Sequence, residues 1–251
     1  MIKLNLKKDS LRKVNEMLQN LDQKINDRSF KIINPDGNHA ICAGLKEEMD
    51  VTIDGHVGYY CAGMNMKADV IVNGNVGTGV AENMMSGSVH VKGNASQSAG
   101  ATAHGGTLIV DGDTSSRCGI SMKGIDIIVK GSVGHMSAFM AQSGNLVICG
   151  DAGDALGDSI YEAKIFIKGE PKSLGADCEK KNMNKKDQDL LKSLLKKASI
   201  DENQLTNFKM YGSARKLYNF NIDNVSEYQC LKNLKPFQEN HGPLMITQTQ
   251  K

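Results

Sequence analysis

The sequence predicts a mainly β protein: a single-stranded, right-handed parallel β-helix of about seven 19-residue coils, flanked by N- and C-terminal α-helices. Three observations carry that reading. Gly55, Gly74, Gly93, Gly112, Gly131, Gly150 and Gly169 recur every nineteen residues without an insertion or deletion. Four and two residues before each glycine stands an aliphatic pair, from Val51/Ile53 through Val89/Val91 and Ile127/Val129 to Ile165/Ile167. All of these except Leu108 and Leu146 are β-branched, and such alternation is a strand signal. Finally, 22 of the 26 glycines lie between Gly55 and Gly175, while no proline falls between Pro35 and Pro171, so the middle of the chain differs in architecture from its ends.

Constant spacing separates a solenoid from a meander, whose hairpins would need turns every few residues. Nineteen residues are too few for a helix-pair repeat. The coil corners need residues that tolerate positive φ or close backbone approach. That role falls to the repeating glycines, to Gly58, Gly77, Gly134 and Gly153 three residues on, and to the small residues Ala62, Ala81, Gly100, Gly119, Ala138 and Gly157 seven residues on. A weaker copy, Ile32 followed by Ile41–Gly44, precedes the set and reads in the same phase. Seven coils at strand spacing give a stack about 34 Å long.

The register sorts side chains into rows. Positions −4 and −2 from each glycine form inward ladders. Position +6 gives a further inward row that holds Cys42, Cys61 and Cys118, which read as small apolar fillers. Position −3 should face outward, yet it carries Ile71, Ile109, Ile128, Val147 and Phe166 beside Thr52 and His90. A stripe of that length needs a cover, supplied by the chain's own helices or by a partner.

Ser10 can cap a helix over 10–26 with Leu11, Val14, Leu18, Leu21 and Ile25 on one face. A second helix reads over 185–199 with Leu190, Leu191, Leu194, Leu195 and Ala198 together. From Phe208 onward the pattern is irregular and aromatic (Tyr211, Tyr218, Phe220, Tyr228, Phe237), and the last ten residues read as mobile. The domains are therefore an N-terminal helical segment 1–31, the β-helix 32–178, and a C-terminal helix and irregular tail 179–251.

Thirty basic against 28 acidic residues leave a net charge of +2, which excludes a strongly basic nucleic-acid binder. No apolar run approaches a membrane span, and the first residues lack a secretory leader, so a cytoplasmic location is expected. Six cysteines without a C-x-x-C pair read as reduced thiols.

Asn73–Gly79 resembles a phosphate-cradling loop, but no helix opens after it and its glycines recur in other coils, so it reads as a corner. No His/Cys array, H-E-x-x-H or G-x-S-x-G occurs, and no catalytic, cofactor-binding or metal-binding residue is assigned. The informative residues are those that break the bland coil pattern: Tyr59, Tyr60, Glu82, Asn83 and Arg117, with His135 just past a corner. Exposed polar and aromatic loop residues of this kind are candidates for a partner interface.

The repeat of Gly-x-x-Gly with a small residue four further on, across 32–178, resembles the GXGXG domain. That is the β-helix of the large glutamate synthase subunit, also found in formylmethanofuran dehydrogenase. Val57–Asn65, Ala81–Gly87, Ser115–Gly124, Lys172–Cys178 and Tyr211–Phe220 look like the free-standing middle subunit of N-methylglutamate synthase, also called methylamine–glutamate N-methyltransferase. The resemblance implies a three-subunit enzyme of one-carbon and methylated-amine metabolism. That enzyme converts methylamine and L-glutamate to N-methyl-L-glutamate and ammonia. The resemblance places FMN in a partner subunit and none in this chain. It names as partners an amidotransferase-like subunit and an FMN-binding glutamate synthase-like subunit, with neither nucleic acid nor membrane. It makes this chain a non-catalytic scaffold. The alternatives are the equivalent subunit of a glutamate synthase-like enzyme using glutamine or another amine, and a formylmethanofuran dehydrogenase-type subunit.

Overall fold

The computed structural model describes residues 1–21 and 26–216. The strands are β1 (Ile2–Asn5), β2 (Ser29–Ile33), β3 (Asp50–Asp54), β4 (Asp69–Asn73), β5 (Ser88–Val91), β6 (Thr107–Val110), β7 (Lys123–Val129), β8 (Ser143–Ile148), β9 (Lys164–Ile167), β10 (Cys178–Lys181) and β11 (Lys209–Ser213). Two α-helices accompany them among the described residues, α1 (Leu11–Gln19) and α2 (Lys185–Lys197), with a 3-10 turn at Glu202–Asn207. All eleven strands belong to one sheet in the order β1-β2-β3-β4-β5-β6-β7-β8-β9-β11-β10. From β1 to β9 every pair is parallel. β11 then adds antiparallel to β9, and β10 antiparallel to β11.

The predicted coil is observed. Val51 pairs with Val70 and Ile53 with Val72, one repeat apart, and this register holds to Ile148↔Ile167. A second ladder follows each corner, through Val57↔Val76, Val76↔Ala95, Ala95↔Thr114 and Val133↔Ala152. The rows at −4, −2 and +6 are buried as expected, and the row at +2 joins them. The described part of the chain is thus a β-solenoid of about seven turns, with a continuous aliphatic interior.

The first coil departs from the expected phase. Phe30 pairs with Val51 and Ile32 with Ile53, so this coil is two residues longer than the rest. One extra residue lies in the corner at Asn34–Gly37, where Asn34, Asp36 and Gly37 adopt positive φ. The other lies between Leu45 and Met49, since the left-handed Ala40, Cys42 and Gly44 match Tyr60, Ala62 and Met64 twenty residues on. Ile32 therefore occupies the −2 row instead of −4, and Cys42 the +7 row instead of +6, where Ile41 stands.

Of the two reasons expected for the repeating glycines, close approach is the one observed at most of them. Gly55 has positive φ (+133°), but Gly112 and its equivalents do not. A Cβ on Gly112 would lie 2.1 Å from Oδ1 of Asn94 in the coil before, so proximity forces the glycine. Positive φ falls instead at +5, +7 and +9 of each coil, mostly on residues with side chains, such as Tyr60, Ala62 and Met64.

The N-terminal segment, expected to be helical, contributes β1 to the sheet and only a short helix. Ser10 caps α1 as predicted, accepting from Lys13 N; Ile25 lies outside the described residues. α1 does not cover the −3 stripe. It closes the end of the solenoid, with Val14 and Leu18 in the main core. Asn15 donates to Ala40 O (2.8 Å) and accepts from Cys42 N (3.0 Å), and Gln19 donates to Ala43 O (2.7 Å). These side chains give the terminal coil hydrogen bonds of the kind that a preceding coil gives elsewhere.

α2 starts at an Asn184 capping box closed by Asp187. Its Leu191, Leu194, Leu195 and Ala198 pack on Ile109, Ile128, Val147 and Phe166. The stripe therefore has two halves. Its C-terminal half is covered by the chain's own helix. Its N-terminal half, Thr52, Ile71 and His90, is not covered by α2, and Ile71 is 38% exposed. Among the described residues, no helix is long and apolar enough to cross a membrane.

Candidate partner-binding face

The third side of each coil, positions +4 to +10, is built from turns with left-handed residues at every second position. Successive coils bond across it. Tyr60 N donates to Thr78 O, Ala81 N to Cys61 O and Gly100 N to Val80 O, at 2.8–2.9 Å. Positions +6 and +7 are buried there, which explains the small residues at +7: a Cβ on Gly100 would meet Ile127 Cδ1 at 2.6 Å. The +10 row, from Asn65 and Met84 to Ile160, is buried as well, and the candidate residues stand at +4, +5, +8 and +9.

All six predicted interface residues lie on this side. Tyr59 is 59% exposed and stacks on His39, with ring centroids 4.5 Å apart and planes 13° from parallel. His39 Nδ1 accepts from Tyr59 N at 2.9 Å, fixing the pair. Tyr60, half-buried, lays its ring over Gly63, where a Cβ would be 2.3 Å away. The Glu82 carboxylate folds back over Gly79 in the next coil. Asn83 accepts from Thr102 Oγ1 at 2.7 Å, which gives it a structural bond along the stack.

Arg117 and His135 are both exposed and sit in adjacent coils, joined by Arg117 N donating to His135 O (2.8 Å). The structure thus gathers Tyr59, Tyr60, Glu82 and Asn83 in two neighbouring coils. It sets Arg117 and His135 further along the same side, beyond the coil that holds Thr102.

Methionines complete the surface, and sequence reasoning gave them no role. Met64, Met66 and Met85 are 48%, 42% and 45% exposed. Met66 and Met85 share the +11 position of successive coils, a register signal that could have been read. Flexible thioethers with aromatic rings make an adaptable protein-binding surface.

A polar ladder at +1 was likewise overlooked. Asn75 N donates to His56 Nδ1, Asn94 N to Asn75 Oδ1, Asp113 N to Asn94 Oδ1, Ser132 N to Asp113 Oδ1, Asp151 N to Ser132 Oγ and Glu170 N to Asp151 Oδ1, at 2.7–3.0 Å. His56, exposed just past the corner at Gly55, begins this ladder. The ladder ties every coil to the next beside the third side and so fixes the spacing of the residues displayed there.

The interior offers no reactive thiol. Burial pushes Cys61 and Cys118 up to about 12, with Thr114 opposing the shift at Cys118, and burial raises Cys42 well above its usual range. Among the described residues, no group of three His, Cys, Asp or Glu side chains is placed to hold a metal ion. The tail segment beyond Lys216, including Tyr218, Phe220, Tyr228, Phe237 and His241, lies outside the described residues.

The fold and this face define a parallel β-helix protein whose repeat positions a fixed surface of Tyr and Met side chains. Over 225 residues the chain is 56% identical to Protein GlxC of Rhizobium meliloti (strain 1021), a match spanning 90% of this chain and 99% of that protein. The chain belongs to the GlxC family. No protein-family model matches it.

Proposed function

We propose that the chain is the non-catalytic structural subunit of an FMN-dependent N-methylglutamate synthase. It scaffolds the amidotransferase-like and FMN-binding glutamate synthase-like subunits. The observation that carries this reading is the third side of the solenoid. Tyr59 and Met64 on it, and Met66 and Met85 just past it at +11, are held out from a stack whose spacing is locked by main-chain bonds and by the +1 ladder. The GXGXG resemblance, along the same coils, supplies the enzyme class.

A stiff spacer fixes the distance between two docked active sites. Ammonia or an amine released at one site then has a defined path to the other. The test is reconstitution. The purified chain is expected to bind no FMN and to turn over no methylamine, yet to restore N-methylglutamate formation when added to the other two subunits. Flavin absorbance or amine turnover in the isolated chain would refute the assignment. Glutamine-dependent, methylamine-independent activity of the assembly would select the glutamate synthase-like alternative.

A further inference from the structure

α2 stops halfway along the −3 face. Its first turn is anchored by Lys164 on β9, whose Nζ meets Asp187 Oδ1 at 2.6 Å. Its last turn is anchored by Asp126 on β7, which meets Lys197 Nζ at 2.7 Å. Both anchors occupy the −5 position of their coils, so this row supplies the charges that seat a helix on the face. After Lys197 the chain turns away through Ser199 (φ 56°), with Ile200 N donating to Leu195 O.

The face itself continues. Beyond the end of α2 lies an open groove of about 520 Å³, with Ile71 and Ile109 as apolar floor and Lys197 at its mouth. His90 is drawn to the far edge by Asp111 Oδ1, 2.9 Å from its Nε2. On the near edge the −5 row carries Asp50 and Asp69, both exposed. Asp69 accepts from Ser88 Oγ, and among the described residues no cation stands at ion-pair distance from either carboxylate. Arg28 and Lys67 border the same edge without reaching them.

The geometry points to a docking site for an amphipathic helix of a partner subunit, laid end to end with α2 over β3–β5. Three strands give a floor about 14 Å wide, which takes between two and three helical turns. The helix would present an apolar stripe to Ile71 and Ile109, with Lys or Arg on one flank over Asp50 and Asp69. That repeats the way Lys197 meets Asp126 in the covered half. Charge complementarity and continuity with the α2 seat favour this occupant over a second copy of the chain. The inference rests on the scaffold reading and adds a partner-binding surface on a different face from the Tyr and Met residues.

The test uses the full chain with the amidotransferase-like and FMN-binding subunits of the proposed assembly. Ile71→Lys, and Asp50→Lys with Asp69→Lys, are each expected to weaken capture of one subunit by about tenfold or more. Melting temperature should stay unchanged, because all three side chains are exposed. A photo-cross-linking residue at position 71 of the otherwise unaltered chain should capture an amphipathic helical segment of that subunit with Lys or Arg beside its apolar stripe. This second arm decides the matter if a variant fails to fold.

Wild-type affinity in both variants, with no cross-link to a subunit, overturns the groove and leaves the scaffold reading intact. Failure of the unaltered chain to bind either subunit overturns both. A cross-link to the same polypeptide, or self-association abolished by Ile71→Lys, overturns the partner helix in favour of self-cover or a second copy.

Discussion

The Asn94 side chain accepts a hydrogen bond from Asp113 N at 2.8 Å and stands where a Cβ on Gly112 would be only 2.1 Å from it. One amide thus both bonds the next coil and forbids a side chain on its corner. The same relation recurs where Asp113 faces Gly131 and Asp151 faces Gly169, both at 2.2 Å.

Gly112→Ala should therefore destabilise the protein by overpacking, by about 1–3 kcal/mol. Asn94→Ala removes the opposing atom but forfeits a hydrogen bond, about 0.5–1.5 kcal/mol. Because the two residues share one contact, the double variant should lose less than the sum of the singles. Urea denaturation of the four proteins measures the coupling. Strict additivity would mean that the clash is relieved by movement elsewhere.

The glycine period was legible because its cause is steric and admits one residue type. The +1 ladder was not, because His56, Asn75, Asp113 and Ser132 share only the ability to accept one hydrogen bond, a property spread over chemically unlike residues. The −3 stripe announced that Ile128 and Phe166 needed a cover. Which residues supply it depends on α2 running back along the face, a tertiary fact without a local signal. The extra residues in the first coil were hidden because Ile32 has another apolar residue, Phe30, two positions away, so either phase fits the pattern. On the third side, Tyr59 and Arg117 stood out by breaking a bland repeat. Met64 and Met85 did not, since methionine is most often a core filler.

The two halves of the stripe should respond differently to charge. Ile128 is fully buried under α2, so Ile128→Asp leaves a carboxylate without a partner and should cost more than about 3 kcal/mol or unfold the chain. Ile71→Asp, at 38% exposure, should stay within about 0.5 kcal/mol of the wild type. Thermal melts of the isolated variants decide. Equal losses at both positions would show that α2 is not the cover.

Thr114 occupies the inward +2 row between Ala95 and Val133, and its buried hydroxyl has the weak acceptor Cys118 beside it and no well-formed hydrogen bond. Val has nearly the same shape and is the residue at positions 57, 76 and 133 of this row. Thr114→Val should raise stability by about 1–3 kcal/mol, the cost of an unsatisfied buried group. A shift of the denaturation midpoint upward with an unchanged slope is the expected reading. A downward shift would mean that the hydroxyl has a partner in solution.

Acid should loosen the seat of α2. Burial of Asp187 raises its pKa, but Lys164 Nζ and Asn184 N outweigh that and hold the carboxyl below its ordinary value. A carboxylate lowered in the folded state contributes stability that is fully present above the unfolded value of about 3.9. That contribution is lost as pH falls through the lower folded value. Asp54, Asp111 and Asp154 are lowered as well, so the wild-type profile alone is a sum over several groups. Asp187→Asn isolates one member. The stability gap between wild type and variant should be constant from pH 7 to about 5 and should close as the pH falls below about 4. A gap that stays open in acid would show that Asp187 acts through something other than its charge.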